Sequence, residues 1–182
     1  LWVIFQAGAW KPEEQIAEFQ VRWQCYMALA FGARCLQAAC YHHAWWDPSC
    51  SCVDEDGGKN PMYGYVQQVY SEMRGLEKAF MAYRYAGARR AGAPEAAHEY
   101  LRKDLADLPA SGVNADAPVV VGLFEKPGAR AMMLVNARDP WDVSARTEVR
   151  LPIDSARVWR AGRSSCVRGA GEILISLASG EG

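Results

Sequence analysis

The hydrophobic pattern changes its period part-way along the chain, and this change restricts the possible folds more than any other feature. Up to about residue 83, short apolar runs alternate with segments of helical period. From residue 118 onward, apolar and polar residues alternate at strand period and are interrupted by turn residues. The first order, run, helix, run, helix, is that of parallel strands linked by crossover helices. The second is that of short antiparallel strands. The chain is therefore expected to join an α/β part to an all-β part.

In the first part, LWVIFQ at 1–6 reads as a buried parallel strand. Pro12, Glu13 and Glu14 suit a helix start, where negative charge meets the positive end of the helix dipole. Ile16, Phe19, Trp23, Tyr26, Met27 and Ala30 then fall on one helical face. Glu18 and Arg22, four residues apart, can pair, and Gly32 is a natural helix stop. Residues 34–41 form the next apolar run. The loop DPSCSCVDEDGGKNP follows, and a second helix is expected from Pro61, with Met62, Tyr65, Val66, Val69, Met73, Leu76 and Phe80 on one face.

Residues 84–117 are rich in Ala, Gly and charge and read as a connector, with GARRAG a solvated turn and AAHEYLRKDLADL a short helix. In 118–182, VVVGLFE and RAMMLVNA form a hairpin about Lys126 to Ala129, because Pro127 fixes φ and Gly128 tolerates positive φ. TEVRLPI, ARVWRA and EILISLA continue a small antiparallel β domain. Trp2, Trp23 and Trp159 are expected in the core. LWVIFQ begins inside a strand and ILISLASGEG stops at a turn, as expected of a fragment of a longer protein.

Composition excludes some functions. With 51% hydrophobic residues and a formal net charge of −1, nothing points to disorder, nucleic acid or an anionic membrane surface. No apolar run approaches the roughly 20 residues that span a bilayer. The six cysteines include no CxxC pair and read as mostly buried thiols, which favours a reducing compartment such as the cytoplasm.

The order LWVIFQ, EFQVRWQCYMALAFGARCLQAACY, a loop containing DEDG, MYGYVQQVYSEM and VVVGLFEKPGARAMMLVN resembles the C-terminal part of a (β/α)8-barrel glycoside hydrolase of the family-42 beta-galactosidase-like clan, followed by its β-sandwich domain. The resemblance implies an α/β plus all-β molecule: the last β/α units of a TIM barrel over 1–83, a connector over 84–117 and a β domain over 118–182. Residues 1–6 and 34–41 would then be barrel strands seven and eight, the last quarter of a fold that takes about 250 residues.

Barrel enzymes build their sites at the C-terminal ends of the strands. Gln6 and Trp10 leave the first strand there, and Tyr41, His42, His43, Trp46 and Asp47 leave the second. Aromatic faces stack on sugar rings, while His, Gln and Asp bond hydroxyls, so these seven residues are expected to form one wall of a saccharide pocket. Gln6 stands where the resemblance implies a nucleophilic Glu. Either the register differs, or another residue serves, or the protein is non-catalytic, and no residue is assigned a catalytic role. Asp47 also fits a plain Asp-Pro turn with Pro48. Cys40, Cys50, Cys52 and the two histidines could supply zinc ligands, but adjacent histidines on a strand face opposite ways and the SCSC spacing is wrong for zinc. No metal or cofactor is expected. A glycoside hydrolase fragment, a non-catalytic carbohydrate-binding or structural module, and a zinc-binding domain are the readings carried forward.

Overall fold

The computed structural model describes residues 1–42, 44, 46–92, 105–106 and 112–182. Strand β1 (Trp2–Gln6) leads through a 3-10 turn at Pro12–Glu14 into helix α1 (Glu18–Ala30) and then β2 (Cys35–Ala39). A second 3-10 turn, Pro48–Cys50, precedes α2 (Pro61–Met81). Among the described residues eight further strands follow: β3 (Arg84–Ala91), β4 (Asn114–Ala115), β5 (Val119–Lys126), β6 (Ala129–Asn136), β7 (Thr147–Leu151), β8 (Ser155–Arg160), β9 (Arg163–Arg168) and β10 (Ile173–Leu177).

β1 and β2 pair in parallel, from Trp2 opposite Cys35 to Gln6 opposite Ala39. The other named strands pair antiparallel, in sheets ordered β3-β5-β6, β10-β7-β4 and β8-β9. The hairpin turn lies where Pro127-Gly128 directed it: Lys126 pairs with Ala129, and Gly128 has a φ of 75°. α2 begins at Pro61 as expected. α1 begins at Glu18 rather than at Pro12, its first turn closed by the Gln20 side chain accepting from the Ala17 N–H at 2.7 Å.

β5 organises the second half because both of its faces are covered. Val119 and Val121 point into a core shared with Leu134, Val149, Leu151, Ile173 and Leu177, which joins the two three-stranded sheets as a small sandwich. Val120 and Phe124, one residue out of phase with them, point to the other face and pack with Tyr26, Met27, Leu29 and Ala30 of α1. Contact there is so close that a side chain at Gly122 would lie 2.4 Å from the Ala30 carbonyl oxygen. α1 also packs Val21 and Cys25 into a core with Phe5, Met62, Val66 and Val69. It therefore lies between the parallel pair and the antiparallel sheet.

This arrangement corrects the expected fold class. Among the described residues strand outweighs helix, 37% to 25%, and is divided among several small sheets. The β/α alternation stops after α2, whose chain enters β3 and joins an antiparallel sheet. The helices do not ring a parallel wall, because α1 is shared with the β-rich half. The molecule is thus not the end of a TIM barrel. Two further differences follow from local patterning. Trp2 and Ile4 are 64% and 63% exposed, because β1 has a partner on one edge only and its outer face is uncovered among the described residues. GARRAG is no solvated turn: it lies in β3 and at its end, paired with β5, with Ala88, Arg90 and Ala91 buried. Most of the AAHEYLRKDLADL segment lies outside the described residues.

α1 and α2 are joined by a charged network. Arg22 Nη2 lies 2.5 Å from Glu18 and 2.6 Å from Glu72. Its Nε also donates to Glu72 at 3.1 Å, as does the Tyr26 hydroxyl at 3.4 Å. The Glu18–Arg22 pair is the one expected from the spacing; the partner on the other helix was not.

Candidate functional site: an aromatic rim at the ends of β1 and β2

The loops leaving β1 and β2 meet through small residues. Ala9, Ala44 and Cys50 form a buried cluster, with Cys40 and Trp46 packed against it. Gly8 permits the approach, since a methyl group there would fall 2.1 Å from the Cys50 carbonyl oxygen. Asn60 ties the later part of the loop, its side-chain amide donating to the carbonyls of Pro48 at 3.2 Å and Ser51 at 3.0 Å.

Two tryptophans, one from each loop, meet above this cluster. The rings of Trp10 and Trp46 have centroids 4.9 Å apart and planes 34° apart, within the range of favourable aromatic pairs. The Trp46 indole N–H donates to the Ala9 carbonyl at 3.0 Å, which fixes that ring. Trp10 is 67% exposed. Tyr41, 48% exposed, has its ring 6.3 Å from that of Tyr63 at the start of α2. The Lys59 ammonium lies 4.2 Å from the centre of the Tyr63 ring.

The polar residues are placed differently. The Gln6 side chain turns back and donates to the Gly8 carbonyl at 2.8 Å. Its backbone exchanges two bonds with the Gln24 carboxamide, at 2.9 and 3.1 Å, so that α1 caps the open edge of β1. Asp47 caps the Pro48–Cys50 turn, accepting from the Ser49 N–H at 2.9 Å and its hydroxyl at 2.7 Å. Those bonds hold its pKa below the ordinary carboxylate value. Exposed His42 forms an isolated bridge with Val53. His43 lies outside the described residues.

Of the seven expected site residues, Trp10 and Trp46 are thus brought into direct contact, and Tyr41 joins an aromatic pair. Gln6 and Asp47 are occupied by local bonds. Tyr63 and Lys59 were missed, although a Tyr at the third position of a helix that begins beside the same loop was a usable signal. Among the described residues, no group of three or more His, Cys, Asp or Glu side chains could hold a metal ion. No helix among them is long and apolar enough to cross a membrane. Neither a family model, nor a curated protein, nor a solved structure matches the chain.

Proposed function

We propose that the aromatic rim binds carbohydrate, with the Trp10–Trp46 pair as the stacking surface. One observation carries the reading: a fixed, partly buried indole supports a second indole that is 67% exposed. A single exposed ring is ordinary, but two paired indoles partly open to water form a contiguous apolar surface of the kind a ligand covers. A pyranose suits such a face, because its C–H side is apolar and its rim of hydroxyls stays hydrated. His42 and Tyr41, which leave β2 in the same loop as Trp46, would supply polar groups to the sugar.

Binding, not hydrolysis, is the activity proposed for this chain. Glycoside hydrolysis needs two carboxyl groups, about 5 Å apart in retaining enzymes or about 6.5–9.5 Å in inverting ones, one of them protonated to serve as the acid. Gln6 can be neither. Asp47, with its lowered pKa, is the opposite of a carboxyl group tuned to give up a proton near neutrality. The same surface would suit one wall of a glycoside hydrolase's sugar pocket if the carboxylates came from elsewhere.

The test is calorimetric titration with soluble β-linked galacto- and gluco-oligosaccharides. A ring face covering roughly 60 Å² of apolar surface is worth about 1.5 kcal/mol, so Trp10→Ala should weaken binding about tenfold. Trp141→Ala serves as control, since Trp141 is 71% exposed but lies in the β6–β7 loop. Equal affinity of the parent and a folded Trp10→Ala variant would refute the reading.

A further inference from the structure

We propose that Cys40 and Cys50 form a reversible disulfide beneath the Trp10–Trp46 pair. Three geometric observations lead there. Both side chains belong to the same small cluster, with Ala9, Ala44 and Trp46. The two backbones flank one glycine, since a methyl group at Gly8 would lie 2.1 Å from the Cys50 carbonyl oxygen and 3.4 Å from the Cys40 Cβ. The chain around Cys50 is tied to the end of β2, the Cys52 N–H donating to the Cys40 carbonyl at 3.2 Å and the Val53 N–H to that of Tyr41 at 2.8 Å. Cys40 itself has a φ of 58°, a left-handed conformation uncommon for a residue with a side chain. Such strain persists where the surroundings hold it, and it clusters at functional positions.

Cys52 is the obvious rival and is turned elsewhere. Its Sγ lies 3.5 Å from the Ala7 carbonyl, and its side chain belongs to the main core with Phe5 and Val66. Cys50 is buried while Cys40 is only partly so, which makes Cys40 the sulfur that a small disulfide can reach.

The oxidant is a low-molecular-weight disulfide such as glutathione disulfide. The Cys40 thiol loses a proton, and its thiolate attacks one glutathione sulfur, expelling a glutathione thiolate. The Cys50 thiol then loses its proton, and its thiolate attacks the Cys40 sulfur and expels the second glutathione. Two electrons pass from the two protein thiols to glutathione disulfide, which ends as two reduced glutathiones. Burial, and after it the neighbouring Cys50, holds the Cys40 pKa above its ordinary value, so the first step should quicken as pH rises.

The experiment treats the reduced full chain with glutathione disulfide, unfolds it in denaturant, alkylates the remaining thiols and weighs it. The expected result is the loss of two alkylatable thiols, Cys40 and Cys50, with no glutathione mass retained on either, restored by dithiothreitol; adducts at exposed Cys35 and Cys166 are distinguished by their added mass. The loss should persist in Cys52→Ser and vanish in Cys40→Ser and Cys50→Ser. In case a serine at buried Cys50 prevents folding, chymotryptic digestion of the oxidised parent, which cuts after Tyr41 and Trp46, should yield a linked pair of peptides whose fragmentation places the bond at Cys40 and Cys50. An unchanged thiol count, a stable glutathione adduct on Cys40 alone, or a bond mapped to Cys52 would each overturn the proposal.

Discussion

Replacing Glu72 by Ala should destabilise the protein by about 3 kcal/mol, although Glu72 is far in sequence from the residue it holds. Glu72 is buried, its side chain 10% exposed, and it accepts from two atoms of Arg22 and from the Tyr26 hydroxyl. Arg22 is 16% exposed at its side chain, so burial opposes its charge. The bonds and charge of Glu72, and then those of Glu18, more than offset that and raise its pKa. Removing one partner of a buried ion pair costs about 3–5 kcal/mol because the other charge stays buried. Glu18 remains 2.5 Å away, which places the estimate at the lower end of that range. For a domain of this size, about 3 kcal/mol corresponds to a fall in Tm of roughly 6–12 °C. Urea unfolding of Glu72→Ala beside the parent is the assay, with m unchanged and the midpoint lowered. The double variant Arg22→Met/Glu72→Met should recover much of the loss, since apolar replacements of buried pairs are often neutral. A loss below about 1 kcal/mol, the value of an exposed pair, would refute the claim that this network joins the two helices.

Other outcomes follow from burial and exposure. Burial pushes the Cys25 thiol from 9.0 up to about 12, so the unfolded chain releases this proton first. Between those values the folded state binds more protons, and stability should fall as pH rises; a thermal-melt series should show this decline, and Cys25→Ala should make it shallower, leaving the part due to buried Cys52 and Tyr26. Ile4→Lys, placed on the uncovered face of β1, should reduce self-association measured by light scattering while leaving the melting curve near that of the parent, because charge on an open strand discourages pairing with another chain.

Local chemistry was well encoded in the residues. Pro61 starts α2, Gly32 ends the turn after α1, with a φ of 82°, and Pro127-Gly128 closes the hairpin, each because one residue type suits one backbone geometry. The parallel pairing of β1 and β2 also lay within reach. What escaped was which faces would be covered. Leu1, Trp2 and Ile4 look like core residues in sequence, yet they are exposed, because apolar character does not reveal whether a second layer exists. RYAGARRA carries a single large apolar ring, Tyr85, and read as a connector, yet β5 pairs with it along its length and Tyr85 packs on Phe124; backbone bonding there outweighs side-chain propensity. α1 shows one apolar face by period and uses two, and this is what turned an apparent barrel segment into a helix shared with the β-rich half. At the rim, the meeting of Trp10 and Trp46 was legible from their strands' ends. The engagement of Gln6 with Gly8 and of Asp47 with Ser49 was not, because a short polar side chain bonds whatever its own turn presents.

The saccharide reading is tested most directly by following the indole N–H signals of the parent protein by NMR during titration with a β-linked galacto- or gluco-oligosaccharide. The expected result is a saturable shift of the Trp10 signal, a smaller one for Trp46, whose N–H is held by the Ala9 carbonyl, and none for Trp141. Unmoved Trp10 and Trp46 signals across both sugar series, or shifts as large at Trp141, would contradict it.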